Sequence, residues 1–172
     1  MQAISLQLLD RLPLGLQELY RQVDAASKAI GCEYLVVGAI ARDMVLVHGF
    51  GAQLERGTRD VDFGINVPSW DAFTRLKAHL LATQFNADES AMQKLHFPSS
   101  DQLAWEIDIV PFGAIENAES VISWPPQHDI AMTVLGFREA LKDAFSVTIS
   151  RDPDLRILVA SPAGLCLLKL IA

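Results

Sequence analysis

The sequence predicts a domain of the mixed α/β class, in which strands of a central sheet alternate with helices. An apolar run rich in β-branched residues, 34–37, has the composition of a strand buried on both faces. The segment after it, from Gly38 to His48, carries apolar residues at helical spacing. Two later stretches, 58–66 and 105–110, alternate acidic and apolar residues as strands do. Strand, glycine turn, helix, loop and acidic strand therefore follow one another along the chain.

Length and composition indicate a single globular domain. The chain has 172 residues, of which 51% are hydrophobic and 20% charged, and it is long enough to bury a core. Its apolar runs are shorter than the roughly 20 residues that a membrane span needs, and residues 1–10 lack a secretion signal. Cys32 and Cys166 form neither a disulfide framework nor a zinc motif. We therefore expect a cytoplasmic protein with reduced thiols and no membrane partner.

The net charge of −7 argues against a broad surface that coats nucleic acid, because such surfaces neutralise phosphates with lysine and arginine. Arg42, Arg56 and Arg59 nevertheless flank the candidate site that includes the acids of residues 58–66. The net negative charge is therefore compatible with a local positive patch around an acidic centre.

Leucines dominate the N-terminal segment, which we expect to form a helical layer. They recur from Leu6 onwards, and Pro13 interrupts or restarts the helix. Gly31 follows as a stop signal. Helical i, i+3, i+4, i+7 spacing is kept by Leu16, Leu19, Tyr20 and Val23.

A glycine marks the junction between the first buried strand and the helix after it. Gly38 lets the backbone approach a ligand, and the first amides of the helix are unpaired donors that favour phosphate. Arg42 can reach a phosphate there, and Asp43 complements the helix dipole. Such a turn is common in α/β domains and does not by itself indicate a ligand site. The expected inner face of the helix consists of Ile40, Met44, Val45 and Val47.

Two aspartates on the next strand give the stronger signal. Asp60 and Asp62 project from the same side of a strand, while Val61 and Phe63 enter the core. Carboxylates held that close repel each other, and a fold tolerates them best with a divalent cation between them. Mg²⁺ prefers oxygen ligands and keeps positions for substrate phosphates. The alternative is a strand face that is simply solvated.

A third acid is expected from the strand at residues 105–110. Glu106 and Asp108 share one face of that strand, and Pro111 ends the run. Either acid beside the first pair would complete a cluster able to hold two metal ions. We favour Asp108 as ligand or base because its shorter side chain holds an oxygen more firmly, and Glu106 is the alternative.

The remaining segments are predicted to be scaffold. Ser69 is the expected N-cap of a helix to Leu81, and Ser161 that of a helix beginning at Pro162. The other expected elements are a strand at 93–97 joined by a turn at 98–101 to the strand at 105–110, a helix at 137–144, and strands at 147–150 and 156–160.

Residues 117–129 are predicted to form a loop. Trp124 within it either stacks on a base or packs under the loop, and its proline neighbours favour packing. The four histidines share no spacing suited to a metal or a catalytic pair, and we interpret them as structural or surface residues.

Three motifs together resemble the nucleotidyltransferase superfamily of DNA polymerase β. They are Gly38-Ala-Ile-Ala-Arg-Asp43, Arg56-Gly-Thr-Arg-Asp-Val-Asp-Phe63 and Ile107-Asp-Ile-Val-Pro-Phe-Gly113. More narrowly, they are similar to the branch that contains AbiE-type abortive-infection toxins. The Arg-Asp after the glycine turn is also similar to that of tRNA nucleotidyltransferases and poly(A) polymerases. The resemblance covers roughly residues 30–172, and the combination is more specific than any single motif.

The resemblance implies a nucleotidyltransferase fold, with a central mixed sheet and helices packed mainly on one face. It implies that Gly38 and Ala39 shape the turn that holds the triphosphate. It also implies that Asp60 and Asp62 bind metal and that Asp108 is the third carboxylate of the catalytic set.

Three further residues are nucleotide-binding candidates, namely Arg42, Thr58 and Arg59. The last two help with phosphate or simply order the loop before the acids. Ala39 departs from the Gly-Gly or Gly-Ser pair of many relatives, which removes a hydroxyl or some backbone freedom while the amides remain.

The activity implied by the resemblance is Mg²⁺-dependent transfer of a nucleoside monophosphate from a nucleoside triphosphate to a hydroxyl, with one or two ions and release of pyrophosphate. The acceptor is left open among tRNA, a protein side chain and a small molecule. A toxin of a toxin–antitoxin or phage-defence system, with an antitoxin partner, is the expected setting. Residues 1–172 are expected to be one domain that lacks the C-terminal helical region of relatives.

Two other interpretations stay open. A catalytically inactive module with the same fold would bind a nucleotide or a protein partner. An unrelated α/β domain would carry the same acids only as solvated surface groups.

Overall fold

The computed structural model describes residues 4–9, 11–53, 58–99 and 103–171, which contain both strands and helices. The strands are β1 (Ser5–Gln7), β2 (Glu33–Val37), β3 (Asp60–Val67), β4 (Asn86–Ala87), β5 (Lys94–Phe97), β6 (Trp105–Gly113), β7 (Val121–Ser123), β8 (Ala131–Thr133), β9 (Phe145–Arg151) and β10 (Asp154–Val159). The helices are α1 (Leu14–Ile30), α2 (Gly38–Arg42), α3 (Trp70–Leu81), α4 (Phe137–Lys142) and α5 (Pro162–Ile171). A π-helical segment, Asp43–Gly49, continues α2 without a break.

Eight of the strands form one sheet in the order β1-β9-β10-β2-β3-β6-β5-β4, and β7 pairs with β8 in a separate hairpin. The pairs β1/β9, β10/β2 and β3/β6 are parallel, and the other pairs are antiparallel. The prediction of a mixed α/β domain with a central mixed sheet is therefore confirmed.

The longest helix, α1, covers one face of the sheet together with α3. It begins directly after Pro13 and ends at Gly31, whose φ of 78° is left-handed and whose amide bonds back to the last turn. Ser69 caps α3 as predicted, because its hydroxyl accepts the Ala72 amide at 3.1 Å. The four predicted inner residues of α1 are all buried, namely Leu16, Leu19, Tyr20 and Val23.

β2 is buried on both faces, as its unbroken apolar run predicts. Tyr34 and Val36 join the main core beneath α1 and α3. Leu35 and Val37 join a smaller cluster with α4 and α5 on the opposite face. Ser161 caps α5 as predicted by accepting a backbone hydrogen bond. The larger helical layer lies on one face, and two shorter helices cover part of the other.

The N-terminal leucines differ from the prediction. The segment before Pro13 was expected to be helical, but Ser5–Gln7 is a strand in which Leu6 pairs with Val147 of β9. Pairing with an available sheet edge outweighs the helical preference of leucine in so short a segment. The helical prediction holds only after Pro13.

Pro111 does not end β6 as predicted, since the strand runs on to Gly113. The Ile109 amide, which points to the same side as the nitrogen of Pro111, bonds to the Gln93 carbonyl at the start of β5. β5 begins at Lys94, opposite Asp108, and does not extend to Pro111, so the missing N–H of the proline costs no sheet hydrogen bond.

The loop predicted at 117–129 contains β7, which pairs with β8. Predicted strands at 93–97, 147–150 and 156–160 correspond to β5, β9 and β10, and the predicted helix at 137–144 to α4. Arg56 and part of the expected turn at 98–101 lie outside the described residues. Within the described ranges, no helix has the length and apolar character that crossing a membrane requires.

Candidate active site

Acidic side chains from β3 and β6 share one face of the sheet. The two strands are parallel, and their register places Asp60 opposite Glu106 and Asp62 opposite Asp108. Residues paired in this way project from the same side of a sheet. Val61 and Phe63 point the other way into the main core, as the alternation predicts. Thus the structure brings together acids that are far apart in the sequence.

The end of β2 closes one side of this acidic face. Val37 pairs with Asp62 across the antiparallel β2/β3 ladder, and Gly38 follows with a φ of 70°. A Cβ atom on Gly38 would lie only 1.9 Å from Asp62 Oδ2. Two features therefore require glycine at this position, namely the left-handed backbone and the close approach of the Asp62 carboxylate.

Burial and like charge alter the acidity of the aspartates. Burial, followed by the charges of Asp108 and Asp60, raises the pKa of Asp62 to about 6. Burial also raises the pKa of Asp108, with Asp60 and Glu106 adding to the effect and Lys94 opposing it. An opposite charge brought between these groups would favour their ionised forms. This is the electrostatic setting in which a divalent cation is bound most favourably.

One carboxylate oxygen is left without a partner at this site. Asp108 Oδ1 is buried and makes no hydrogen bond to any residue that the structure describes. A buried acceptor without a partner is costly, and a ligated cation would remove that cost. The donor set of carboxylate oxygens also suits Mg²⁺. Asp60, Asp62 and Asp108 therefore fit the metal that the motifs imply.

The aspartates lie on the same face of the sheet, but their carboxylates are not close enough together to surround a single ion. Among the described residues, no three histidine, cysteine, aspartate or glutamate side chains come together closely enough to form a metal-binding group. Like charges on neighbouring strands repel, so side chains that approach a common ion need not converge by themselves.

A lysine that the sequence analysis did not single out also lies on this face. Lys94 of β5 is the register partner of Asp108, and its Nζ donates to Glu106 Oε2 at 3.0 Å. The hydrogen bond to Glu106, with the charge of Asp108, raises the pKa of Lys94. The signal was present in the sequence, because alternation in β5 places Lys94 and His96 on the polar side of the strand.

Comparison with known proteins gives matches only among solved structures. No family model matches the sequence, and no curated protein matches it. The matching structures include a Thermotoga maritima CCA-adding enzyme complexed with tRNA (18% identity, 60% of this chain, 22% of that chain, TM-score 0.38). They also include a CCA-adding enzyme with CTP (19% identity, 59% of this chain, 22% of that chain, TM-score 0.37). A third is the antibiotic-resistance factor ANT(2'')-Ia (15% identity, 64% of this chain, 58% of that chain, TM-score 0.41). The chain thus spans about a fifth of each CCA-adding enzyme and little over half of the resistance factor.

The predicted nucleotide-binding side chains are engaged with other protein groups. Arg42 pairs with the neighbouring Asp43 carboxylate at 2.7 Å and is half exposed. Thr58 Oγ1 accepts the Asp60 amide at 3.1 Å, which orders the start of β3. Arg59 donates to the Leu103 carbonyl at 2.8 Å and lies over the Trp105 ring. Ala39 lies next to Gly38 in the first turn of α2 and is partly buried.

Trp124 is a core residue. It is only 3% exposed and packs against Trp70 and Phe73, with ring centroids 5.4 and 5.7 Å away. Packing under the loop is therefore its role, and base stacking is not. Among the histidines, His96 pairs with Asp88 at 2.8 Å and His128 bonds to the Ser123 carbonyl at 2.9 Å.

A shallow cleft of about 380 Å³ lies at the far ends of β3 and β6, away from the acids. Arg138 in its wall pairs with Glu116 at 3.0 Å and donates to the Gly113 carbonyl at 2.5 Å. Because these groups already satisfy the arginine, the cleft is a weaker candidate for a ligand site than the acidic face.

Proposed function

We propose that this chain is a Mg²⁺-dependent nucleotidyltransferase domain that transfers a nucleoside monophosphate from a nucleoside triphosphate to a hydroxyl acceptor. The observation that carries the proposal is the register of Asp62 with Asp108 beside Gly38, with one Asp108 oxygen buried and unpaired. The three sequence motifs that resemble such enzymes converge on this one face. Because the convergence was not imposed by sequence proximity, it favours a built site over a solvated strand.

The three aspartates have linked roles in the proposed reaction. Asp60, Asp62 and Asp108 would hold the metal, which supplies charge stabilisation to the phosphates when bound. Asp108 would also orient the acceptor hydroxyl and take its proton as the hydroxyl oxygen forms a bond to the α-phosphorus. The bond from that phosphorus to the bridging oxygen breaks, and pyrophosphate leaves.

The turn after β2 would bind the leaving phosphates. Amides that follow Gly38, including that of Ala39, have no helical partner and favour anions. Arg42 is half exposed, and within the described part of the chain its ion pair is with its neighbour Asp43, a partner that it can exchange for a phosphate. Thr58 and Arg59 would act indirectly by fixing the strand that carries Asp60.

The second candidate is a catalytically inactive module that binds a nucleotide or a protein partner. It is favoured by one observation, which is that Arg42, Thr58 and Arg59 all bond within the protein. The two candidates differ in the reaction that they catalyse, because the inactive module is expected to bind a cation or a nucleotide without transferring a nucleoside monophosphate.

The decisive experiment is incubation of the protein with each labelled nucleoside triphosphate, Mg²⁺, total tRNA and a protein extract. Label on one class of acceptor, lost in Asp62→Asn and Asp60→Ala but kept in Asp71→Asn, supports the proposal. Asp71 is the matched control because it is an exposed aspartate on α3, paired with Arg75 away from the site. Labelling that survives Asp62→Asn contradicts it. Mg²⁺-dependent nucleotide binding with no label on any acceptor favours the inactive module.

The resemblance to AbiE-type toxins extends the proposal to a cellular role in the cytoplasm. The chain would act as a toxin of a toxin–antitoxin or phage-defence system, restrained by an antitoxin partner. Induced expression of the wild type is then expected to arrest growth, and expression of Asp62→Asn is expected to be tolerated. Equal tolerance of both proteins at equal abundance contradicts this role without affecting the proposed chemistry.

A further inference from the structure

The acidic face carries one lysine whose position is fixed by the sheet. Lys94 lies opposite Asp108 in the antiparallel β5/β6 ladder, so both side chains project from the same face. Its Nζ is 3.0 Å from Glu106 Oε2, and the lysine side chain is 29% exposed. The Glu106 side chain is 50% exposed, so solvent screens the pair in part, and the place of the ammonium is set by the strand register rather than by burial.

The two acids of β6 therefore stand in different environments. Glu106 has its carboxylate engaged by the ammonium of Lys94. Asp108 has a buried oxygen that no described residue contacts by a hydrogen bond. Glu106 is also opposite His96, but His96 is bonded to Asp88 at 2.8 Å. Lys94 is thus the basic group that the described contacts assign to Glu106.

We propose that Lys94 is a positioning residue that selects which acid of β6 binds the cation. By holding Glu106 in an ion pair, it keeps that carboxylate out of the ligand set and leaves Asp108 as the third ligand. The inference rests on the proposed function, because it takes the acidic face to be a cation site. It decides between the two acids that sequence alternation alone leaves equivalent.

The same geometry explains why a positive charge belongs at a cation site. Four carboxylates, those of Asp60, Asp62, Glu106 and Asp108, lie on one face. The Lys94 ammonium neutralises one of them and leaves three for the metal. Without Glu106, the ammonium would be free to pair with its other neighbour, Asp108, and to compete with the cation.

The test is a titration of the protein with Mn²⁺, a spectroscopic substitute for Mg²⁺, followed by calorimetry and by electron paramagnetic resonance of the free ion. Lys94→Met is expected to bind Mn²⁺ several-fold more tightly than the wild type, because a positive charge is lost and Glu106 is released. Glu106→Gln is expected to bind it more weakly, since the freed ammonium then competes at Asp108.

The double variant Lys94→Met/Glu106→Gln is the informative comparison, because it has the same net charge as the wild type. If Lys94 holds Glu106 out of the ligand set, the double variant binds Mn²⁺ with wild-type affinity, and Asp108→Asn abolishes tight binding. If Glu106 is itself a ligand, the double variant binds more weakly than the wild type, and the inference is overturned. Unchanged affinity in both single variants overturns it as well.

Two controls keep the result specific. Lys94→Arg keeps an ion pair with Glu106 and is expected to bind Mn²⁺ as the wild type does. Lys77→Met removes a half-buried lysine on α3 that donates to the Met92 carbonyl at 2.6 Å, and it is expected to leave Mn²⁺ affinity unchanged. Thermal denaturation confirms that each variant is folded. Failure of the wild type to bind Mn²⁺ contradicts the proposed function and the inference with it, whereas wild-type binding with the wrong variant pattern contradicts the inference alone.

Discussion

Asp62 and Asp108 lie directly opposite each other on the parallel strands β3 and β6, with the Cα atom of Gly38 against the Asp62 carboxylate. Two acids in this relationship destabilise the fold when both are ionised, because each is partly buried beside a like charge. The proposed cation site would give up stability for the capacity to bind a cation.

Neutralising Asp62 should stabilise the metal-free protein above pH 6. The pKa of Asp62 is raised from 3.8 to about 6 in the folded state, so the folded protein binds a proton more tightly than the unfolded chain. Its contribution to stability is therefore present below pH 4 and is lost as the pH rises through 6. Asp62→Asn is expected to raise the free energy of unfolding by about 1–2 kcal/mol at pH 7.5, a figure reduced for partial solvent screening. Urea unfolding of both proteins in a chelator at several pH values measures this difference in the free energy of unfolding. An equal increase at pH 3.5 and at pH 7.5 contradicts the prediction.

Alanine at Gly38 should destabilise the protein more than alanine at Gly31. Both glycines have a left-handed φ, but only at Gly38 would the added Cβ meet another group, Asp62 Oδ2 at 1.9 Å. Gly31→Ala should cost about 1 kcal/mol in the free energy of unfolding, from backbone strain alone. Gly38→Ala should cost about 2 kcal/mol or more because the clash adds to the strain. Removing the carboxylate in Gly38→Ala/Asp62→Ala should recover the difference, and equal costs for the two single variants would show that the close approach is not a constraint.

Mg²⁺ should raise the melting temperature of the wild type. A ligand that binds only the folded state stabilises it by about 2.7 kcal/mol when its concentration is 100 times its dissociation constant. We expect the increase to be lost in Asp62→Asn and Asp108→Asn and kept in Asp71→Asn, which lies away from the site. Differential scanning calorimetry with and without a chelator measures the effect. An increase that persists in Asp108→Asn would place the ion elsewhere on the protein.

Trp124→Ala should destabilise the protein without altering nucleotide affinity. Trp124 is buried against Trp70 and Phe73, so truncation leaves a cavity and is expected to cost about 3–5 kcal/mol in the free energy of unfolding. Chemical denaturation measures the loss in the free energy of unfolding. Equilibrium binding of a labelled nucleoside triphosphate at low temperature measures the nucleotide affinity of the variant that remains folded. Normal stability with weakened nucleotide binding is the result that favours a base-stacking role.

Much of the fold could be predicted because local pattern and tertiary environment agree. The run at β2 is apolar at every position from Tyr34 to Val37, and both faces of that strand are covered. Alternation likewise fixed which side of β3 would carry Asp60 and Asp62. The caps Ser69 and Ser161 were predictable because a hydroxyl before a helix has a local partner.

Other features depend on pairing between distant segments and leave little trace in a single sequence. β1 is a strand because Leu6 meets Val147 on the edge of the sheet. Pro111 stays within β6 because β5 begins opposite Asp108 and does not extend to Pro111. Lys94 was overlooked because its significance comes from Glu106 and Asp108 on the neighbouring strand, and alternation within β5 shows only that it is polar.

The parallel pairing of β3 with β6 also sets the time at which this surface comes into being during synthesis. Between those strands the chain makes α3, β4 and β5, so β3 has no neighbour on that side until the whole crossover has left the ribosome. A nascent chain that stops before β6 carries Asp60 and Asp62 on an open edge and has nothing to place opposite them. Such a polypeptide lacks the site that is proposed for the finished domain, and the complete acidic surface therefore forms only once β6 has docked beside β3.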